Sequence, residues 1–307
     1  MSAPETASFG VGGAAQALAD AFGLGRAVAF ERIARGAMGA VWRLETRAGV
    51  FAAKEAFWTP PDEQRVRLEI AFRAACGVRS PEPLTTPAGA YVADGWRLYE
   101  WVDGTVPGDE SLGWLAEQAA TMHKVAWTEG PLEPQDFYCR VHVDWPALAE
   151  REPAVAPAVP RLVELTELVN AAPVDNLIWC HRDLAPSNVL IGADGPCLVD
   201  WDNVGPMSAT QELSFLLINH LTDEHAVRRI VAAYRSAGGP GLITEPEGFA
   251  AGLAIMLNYL HVQVNDSLDP ELAAEHREFA RSQIVQQIRS VPAPGVLERA
   301  AAQAARL

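Results

Sequence analysis

The pattern of apolar residues changes once along the chain, near Gly104, and this change constrains the fold more than any other feature. Before it, apolar residues alternate over short segments that end at glycine, proline or aspartate, which is typical of antiparallel strands. After it, they recur at helical spacing, first over Leu112–Ala126. The sequence therefore predicts an α+β fold with a small sheet lobe at 1–103 and a larger, mainly helical lobe at 104–307.

The first lobe is predicted to contain five strands and one inserted helix. The predicted strands lie at 28–34, 40–46, 50–57, 90–93 and 96–102. A helix at 13–22 precedes them, and the inserted helix runs from its N-cap Asp62 to about Cys76. Asp94-Gly95 predicts a tight hairpin turn between the last two strands.

The second lobe is predicted to be helical around one polar loop. That loop, His181–Ser187, follows a strand at 176–180 and precedes two short apolar segments at 189–191 and 197–199. Residues 130–160 carry six prolines and are expected to be irregular. The predicted helices lie at 112–126, 161–171, 211–221, 224–237, 246–264, 270–290 and 296–306.

Charge and composition exclude several classes of function. The 307 residues include 39 acidic and 24 basic side chains, and the resulting charge of −15 would repel nucleic acid and anionic membranes. The longest apolar run, Phe249–Leu257, is shorter than the ~20 residues that span a bilayer. The four cysteines form no C-x-x-C pair, and no basic residue precedes Arg26. We therefore expect buried thiols and a cytoplasmic protein without nucleic-acid or membrane partners.

The polar loop carries the residues with the clearest chemistry. Asp183 and Asn188 lie five residues apart, and Asp200 directly follows an apolar strand. Carboxylate and amide oxygens are the ligands that Mg²⁺ prefers. Asn188 and Asp200 are therefore candidate metal ligands, while Asp183 is a candidate acceptor for a hydroxyl proton.

This loop resembles the catalytic loop of the protein-kinase-like superfamily, in its aminoglycoside phosphotransferase and choline kinase branch. Residues 181–188 match the H-x-D-x-x-x-x-N pattern, and Asp200 stands at the family's metal-binding aspartate. Asp200-Trp201-Asp202 replaces the D-F-G triplet of protein kinases, and no A-P-E follows, which argues against a protein substrate. The resemblance implies a two-lobed fold and transfer of the γ-phosphoryl group of ATP, with Mg²⁺, to a hydroxyl of a small molecule.

Residues of the first lobe agree with this resemblance. Gly36–Val41 resembles the end of the kinase glycine-rich loop, and Phe51–Lys54 resembles the V-A-I-K strand whose lysine contacts nucleotide phosphates. The resemblance implies that adenine bonds the Glu100 carbonyl and the Val102 amide. The implied nucleotide-binding residues are Gly36, Gly39, Val41, Ala52, Lys54, Glu69, Glu100 and Val102.

Lys54 requires a carboxylate that holds it in position. Glu69 lies between Val66 and Ile70 on the same side of the following helix. Glu63 is the competing candidate, but its place in the first helical turn is explained by the helix dipole. We therefore expect a Lys54–Glu69 ion pair.

Other polar residues near the loop have structural or undecided roles. We expect His181 to orient the loop, and Glu212 and His123 to be structural. Arg182 stands where this branch more often has a small residue, and either pairs with Asp202 or reaches phosphate. Asp202 has three open roles: a partner of the metal ligands, a group facing a cationic substrate, or a turn carboxylate.

The acceptor is expected to be a small, cationic hydroxyl compound, led by aminoglycosides and other amino sugars. The family builds its acceptor pockets in the second lobe, where the candidate substrate residues are Asp144, Asp202, Asn258, His261, Asn265 and Asp266. Asn258, His261 and Asn265 form one polar stripe on a helix, which a solvated face explains equally well. The alternatives are a metabolic kinase for choline, homoserine or a sugar, and a nucleotide-binding pseudokinase, which usually lacks one of the three catalytic residues present here.

Overall fold

The computed structural model describes residues 13–307. Along this range the strands are β1 (Ala27–Arg35), β2 (Gly39–Thr46), β3 (Gly49–Ala56), β4 (Trp96–Glu100), β5 (Gly104–Thr105), β6 (Leu177–Cys180), β7 (Val189–Gly192), β8 (Gly195–Leu198) and β9 (Gly205–Ser208). The helices are α1 (Gly13–Ala21), α2 (Glu63–Cys76), α3 (Leu112–Met122), α4 (Trp145–Arg151), α5 (Val159–Ala171), α6 (Ala209–Leu217), α7 (Glu224–Ser236), α8 (Ala250–Leu268), α9 (Ala274–Ser290) and α10 (Pro294–Arg306).

The chain forms two compact units. The first unit extends to Val106 and also includes Val189–Asp202, and the second unit comprises Pro107–Asn188 and Asn203–Leu307. The predicted lobes at 1–103 and 104–307 stay a prediction. An antiparallel sheet in the first unit and predominantly helical structure in the second confirm the predicted α+β class.

The main sheet of the first unit has the order β1-β2-β3-β4, with every neighbouring pair antiparallel. Its register places Lys54 opposite Val41 on one side and Arg97 on the other, so these three side chains share a face. Ala53 and Leu98 occupy the other face, where they join a core with Leu18 of α1. The apolar face therefore packs on α1, and the opposite face carries two adjacent cations.

The predicted strand at 90–93 is not formed. Only Ala93 bridges to β4, at Trp96, and the intervening Asp94 and Gly95 adopt the left-handed conformations of a tight turn. The edge of β4 is occupied instead by an earlier segment, since the Leu84 amide donates to the Leu98 carbonyl at 2.8 Å. The main sheet therefore has four strands, because residues 82–84 take the edge that the hairpin would have used.

Helix α2 follows its sequence signals closely. Asp62 accepts a hydrogen bond from the Arg65 amide and caps the first turn, while Gly77 ends the helix in the left-handed conformation. Val66 and Phe72 are buried along one side, and Glu69 lies buried with them. The helix therefore holds a carboxylate in an apolar setting, which requires a cationic partner.

The hairpin β7–β8 is held within the first unit by backbone hydrogen bonds. β7 pairs with β5, and the Leu198 amide donates to the Arg79 carbonyl at 2.9 Å. Arg79 in turn donates to the Gly195 carbonyl at 2.8 Å. These bonds fix the end of β8, from which Asp200–Asp202 continues.

In the second unit, a pair of short strands anchors the polar loop. β6 and β9 pair with Cys180 opposite Gly205, so the chain before His181 lies beside the chain after Val204. Helix α6 begins directly after β9 with a capping box formed by Ser208 and Gln211. Helix α4 lies in the proline-rich segment expected to be irregular, and its N-cap is Asp144.

The four cysteines are free and buried, as the sequence predicted. Burial raises the pKa of the thiols of Cys139 and Cys197, which keeps them in the unreactive protonated form. Among residues 13–307, no helix combines the length and the apolar character needed to cross a bilayer.

Candidate active site

The polar face of the first unit's sheet carries a network of five charged side chains. The Lys54 ammonium lies 2.6 Å from the Asp200 carboxylate and 2.6 Å from the Asp202 carboxylate. Both carboxylates are 38% exposed, whereas the lysine side chain is 19% exposed. Lys54 is therefore held by two carboxylates that remain open to solvent.

The partner of Lys54 differs from the expected Glu69. Glu69 forms an ion pair with Arg97 instead, at 2.6 Å, and both side chains are buried. Burial lowers the pKa of the Arg97 guanidinium, but Tyr99 and Glu69 outweigh that effect and raise it. The competing candidate, Glu63, accepts hydrogen bonds from the Tyr91 and Val92 amides. The two cations stand opposite each other in the β3–β4 register, and Glu69 pairs with Arg97.

The structure gives ion-pair partners to Asp202, for which the sequence left three roles open. Its carboxylate pairs with both Lys54 and Arg97. Asp200, two residues earlier, adopts a φ of 62°, a left-handed conformation that aspartate tolerates better than most residues. With the backbone turned in this way at Asp200, the carboxylates of Asp200 and Asp202 both contact Lys54.

The glycine turn is held by a backbone hydrogen bond and by one from the Trp58 side chain. The Gly36 amide donates to the Gly39 carbonyl at 2.9 Å, and the Trp58 indole donates to the Ala37 carbonyl at 2.9 Å. A Cβ at Gly39 would collide with the Glu55 carbonyl across the β2–β3 pair. Glycine is therefore required at 39 for the close approach of the two strands.

In the second unit, the polar loop surrounds Asp183 with amide groups. The Asn188 side-chain nitrogen donates to the Asp183 backbone carbonyl at 2.9 Å. The Asn203 side-chain nitrogen lies 3.3 Å from Asp183 Oδ2, and the Asp183 amide donates to His181 Nδ1 at 3.2 Å. The Asp183 carboxylate is thus oriented by neighbouring groups, and the His181 contact agrees with its expected orienting role.

A buried hydrogen-bond network that includes Glu212, His123 and Tyr234 holds the backbone of this loop. Glu212 accepts a very short hydrogen bond from the Arg182 amide and lies 2.8 Å from His123 Nε2. His123 Nδ1 lies 2.7 Å from the Tyr234 hydroxyl, which accepts from the Gly241 amide. Burial would raise the pKa of the Glu212 carboxyl, but the bonds from His123 and Arg182 outweigh it and lower the pKa. The expected structural roles of Glu212 and His123 are confirmed.

These bonds fix one proton position. An ionised Glu212 can only accept, so His123 donates to it from Nε2, while Nδ1 shares a hydrogen bond with the Tyr234 hydroxyl. Cys180, the third potential ligand beside His123 and Glu212, donates to the Met207 carbonyl at 3.3 Å. The cluster is therefore satisfied as a hydrogen-bond network.

The candidate substrate residues of the second unit are not equivalent. Asp144 caps α4 by accepting from the Ala147 amide, and Asn265 accepts from Arg151 at 2.9 Å. Asn258 is buried and donates to the carbonyls of Phe137 and Arg140. Burial lowers the pKa of His261. Asp144, Asn265 and Asn258 thus form hydrogen bonds within the protein. Of the expected polar stripe, only His261 has no such bond among residues 13–307.

Asp266 differs from the three bonded members of this group. The described part of the chain gives its half-buried carboxylate no hydrogen bond or ion pair. Burial, and then the charge of Asp269, raise the pKa of Asp266. This carboxylate therefore favours any added cation that would balance its charge.

Sequence reasoning missed Arg97, Tyr138 and Asn203. Arg97 had one usable signal, because a charged residue between apolar Trp96 and Leu98 in a buried strand requires a partner. Tyr138 and Asn203 meet at 3.3 Å although 65 residues separate them. No local sequence pattern predicts a contact between residues so far apart in the chain.

The fold is shared with several solved kinases. A spectinomycin phosphotransferase, solved with ADP and spectinomycin, is 13% identical, with a TM-score of 0.65 over 94% of this chain and 97% of that one. A microcompartment-associated aminopropanol kinase is 17% identical, with a TM-score of 0.60 over 90% and 94% of the two chains. Choline kinase LicA from Streptococcus pneumoniae is 15% identical, with a TM-score of 0.57 over 86% and 94%. At these identities the similarity shows the fold.

Sequence comparison supplies the family. No curated protein sequence matches the chain significantly. The model of the phosphotransferase enzyme family matches residues 29–249, a range that contains the glycine turn, Lys54, the polar loop and Asp200. The match covers well over half of the chain and agrees with the expected branch of aminoglycoside phosphotransferases and choline kinases. The chain is therefore a phosphotransferase and belongs to the phosphotransferase enzyme family.

Proposed function

We propose that the protein transfers the γ-phosphoryl group of ATP, with Mg²⁺, to a hydroxyl of an aminoglycoside-like or other amino-sugar compound. The observation that carries the proposal is the orientation of the Asp183 carboxylate by Asn203, on a loop fixed by Asn188 and Glu212. A carboxylate held in this way can position a hydroxyl and accept its proton during attack on phosphorus.

Asn188 and Asp200 are the proposed metal ligands. The Asn188 nitrogen is used by the Asp183 carbonyl, which leaves the amide oxygen as its remaining ligand atom. Asp200 offers a half-exposed carboxylate, so the donor set consists of the oxygens that suit Mg²⁺. When bound, Mg²⁺ would neutralise charge on the β- and γ-phosphate oxygens.

The nucleotide is proposed to bind the polar face of the first unit's sheet. Val41, Ala52 and Lys54 share that face by strand register, and the glycine turn precedes Val41. Lys54 would move from its carboxylates to the phosphates, which carry more negative charge. Glu100 and Val102 remain the proposed backbone contacts for adenine, and Gly36 and Gly39 the residues that cover the phosphates.

An ammonium group on the acceptor is favoured by Asp266. Its carboxylate is half-buried and has no hydrogen bond or ion pair within the described residues, and the charges that act on its pKa are those of Asp269, which raises it, and His276, which lowers it. A neutral sugar would leave the charge of Asp266 unbalanced, whereas the ammonium group of an amino sugar, of an amino alcohol or of homoserine would balance it. An amino-alcohol acceptor such as choline is therefore the nearest alternative.

An ADP-release screen across amino sugars, amino alcohols and neutral sugars tests the proposal. We expect turnover with an amino compound, and we expect Asp183→Ala to abolish it while ATP binding survives in calorimetry. The exposed Asp175→Ala serves as the matched control and should keep wild-type turnover. Wild-type turnover by Asp183→Ala would exclude the proposed mechanism, and ATP binding without release of ADP from any acceptor would favour the pseudokinase.

A further inference from the structure

Arg182 adopts a backbone conformation that disfavours its side chain. Its φ is 63°, in the left-handed region that glycine enters freely and that costs most other residues about 1 kcal/mol or more. Its amide is fixed there by the bond to Glu212. An arginine at this position therefore adds strain that its side-chain contacts must offset.

The guanidinium of Arg182 is buried and joins two other segments. It lies 3.9 Å from the centre of the Tyr138 ring and donates to the Gln135 side chain at 3.0 Å. It also donates to the backbone carbonyls of Asn203, at 2.5 Å, and Val204, at 3.3 Å. One side chain thus ties residues 135–138 to the segment that follows Asp202.

Gly205 provides the space for this side chain. A Cβ at Gly205 would collide with the Arg182 guanidinium, although φ at Gly205 is not in the left-handed region. The absence of a side chain at 205 is thus explained by packing against arginine. The two residues are complementary in size.

Residues 135–140, which we name the acceptor turn, are connected to the catalytic loop by a second route. The Tyr138 hydroxyl lies 3.3 Å from Asn203 Oδ1, and Asn203 Nδ2 lies 3.3 Å from Asp183 Oδ2. On its other side the turn is held by two hydrogen bonds from Asn258 of α8. The acceptor turn therefore lies between the catalytic carboxylate and the helix that carries Asp266.

We propose that Arg182 is a positioning residue for the acceptor: it fixes the acceptor turn against the catalytic loop, so that an acceptor bound beside this turn presents its hydroxyl to Asp183. This inference rests on the proposed function. The sequence left open whether Arg182 pairs with Asp202 or contacts phosphate. The proposed positioning role replaces both.

The test compares Arg182→Gly, which relieves the backbone strain but removes the guanidinium, with Arg182→Lys, which keeps the charge and loses the planar contacts. We expect both variants to raise the KM for the acceptor about ten-fold or more, with the KM for ATP changed less than two-fold. Exposed Arg289→Ala in α9 is the control and should change neither constant.

Hydrogen exchange provides a readout that does not depend on turnover. The amides of Tyr138, Cys139 and Arg140 are bonded within the acceptor turn, and their exchange should accelerate about ten-fold in Arg182→Gly. Tyr138→Leu leaves the backbone at 182 unchanged and should give the same KM pattern, which keeps the test valid if Arg182→Gly does not fold.

The outcomes separate this inference from the proposed function. Unchanged exchange in the turn, or accelerated exchange with an unchanged acceptor KM, would overturn the positioning role. An equal rise in the KM for ATP would also overturn it, because the effect would then not be specific to the acceptor. If the wild-type protein phosphorylates no acceptor, the proposed function fails, while the exchange result still shows whether Arg182 holds the turn.

Discussion

The molecule contains two polar networks, one of partly exposed ion pairs and one of fully buried hydrogen bonds. In the first unit, Lys54 and Arg97 alternate with the carboxylates of Asp200, Asp202 and Glu69, and two of these carboxylates are 38% exposed. In the second unit, the side chains of Glu212 and His123 are fully buried and every bond among them and Tyr234 is a directed hydrogen bond.

The difference separates groups that exchange partners from groups that stay fixed. Half-exposed ion pairs contribute only about 0–1 kcal/mol each, so Lys54 can leave its carboxylates for a phosphate at little cost. A fully buried network loses far more when one member is removed, because the remaining polar groups cannot reach water. The lysine network therefore suits ligand exchange, and the Glu212 network suits a permanent support for the catalytic loop.

Removing Glu212 should produce the largest loss of stability. Glu212→Ala leaves the Arg182 amide and His123 Nε2 buried without their acceptor, and we expect the free energy of unfolding to fall by about 3–5 kcal/mol. Urea denaturation measures this loss. Glu278→Ala on the exposed side of α9 is the control, with an expected change within about 0.5 kcal/mol. An equal loss in both variants would remove the contrast between the two networks.

Breaking the buried part of the first network should cost less. Arg97→Met leaves Glu69 without its cation, and Glu69 Oε1 already has no hydrogen-bond partner among residues 13–307. We expect about 3 kcal/mol of destabilisation in urea denaturation. Adding Glu69→Leu should recover much of it, because the double variant buries no unpaired charge. Failure of the second substitution to restore stability would mean that Arg97 acts through packing alone.

The two networks also mark how far sequence reasoning extends. The strand of Lys54, the cap of α2 and the polar loop were predictable, because each depends on residues within one turn or strand. The Arg97–Glu69 pair depends on the register of β4 against β3 and on the rotation of α2, neither of which a local pattern specifies. The same limit hid the contact between Arg182 and residue 135, which are 47 positions apart.

Lowering the pH should reduce the stability that the Glu212 network contributes. The bonds of Glu212 lower the pKa of its carboxyl in the folded state, so they stabilise the protein above the ordinary value of 4.5. This stabilisation is lost as the pH falls through the lowered folded-state pKa. Between pH 6 and about 3, the unfolding free energy of the wild type should therefore fall more steeply than that of Glu212→Gln, measured by urea denaturation at each pH. Parallel pH profiles would show that the carboxyl is not held ionised.

Asp266 should give the smallest effect on stability and a larger one on the acceptor. Its pKa is raised by burial and by Asp269, so the wild type loses stability as the pH rises from the ordinary value of 3.8 through the folded-state pKa. Asp266→Asn removes that loss, and we expect a gain of no more than about 0.5 kcal/mol at pH 7 that disappears near pH 4. Thermal unfolding at the two pH values measures it.

The same substitution tests whether Asp266 attracts a cationic acceptor. The net charge of −15 steers cations in general, so kcat/KM for an amino acceptor should fall as salt rises in both proteins. If Asp266 holds the ammonium group, Asp266→Asn should raise the acceptor KM and flatten this salt dependence, after the salt dependence of ATP itself is subtracted. The capping residue Asp144 offers the comparison, since Asp144→Asn keeps the α4 cap and should leave both quantities unchanged. Equal effects of the two variants would assign the attraction to the overall charge, and a neutral sugar preferred over every amino compound would exclude an ammonium site at Asp266.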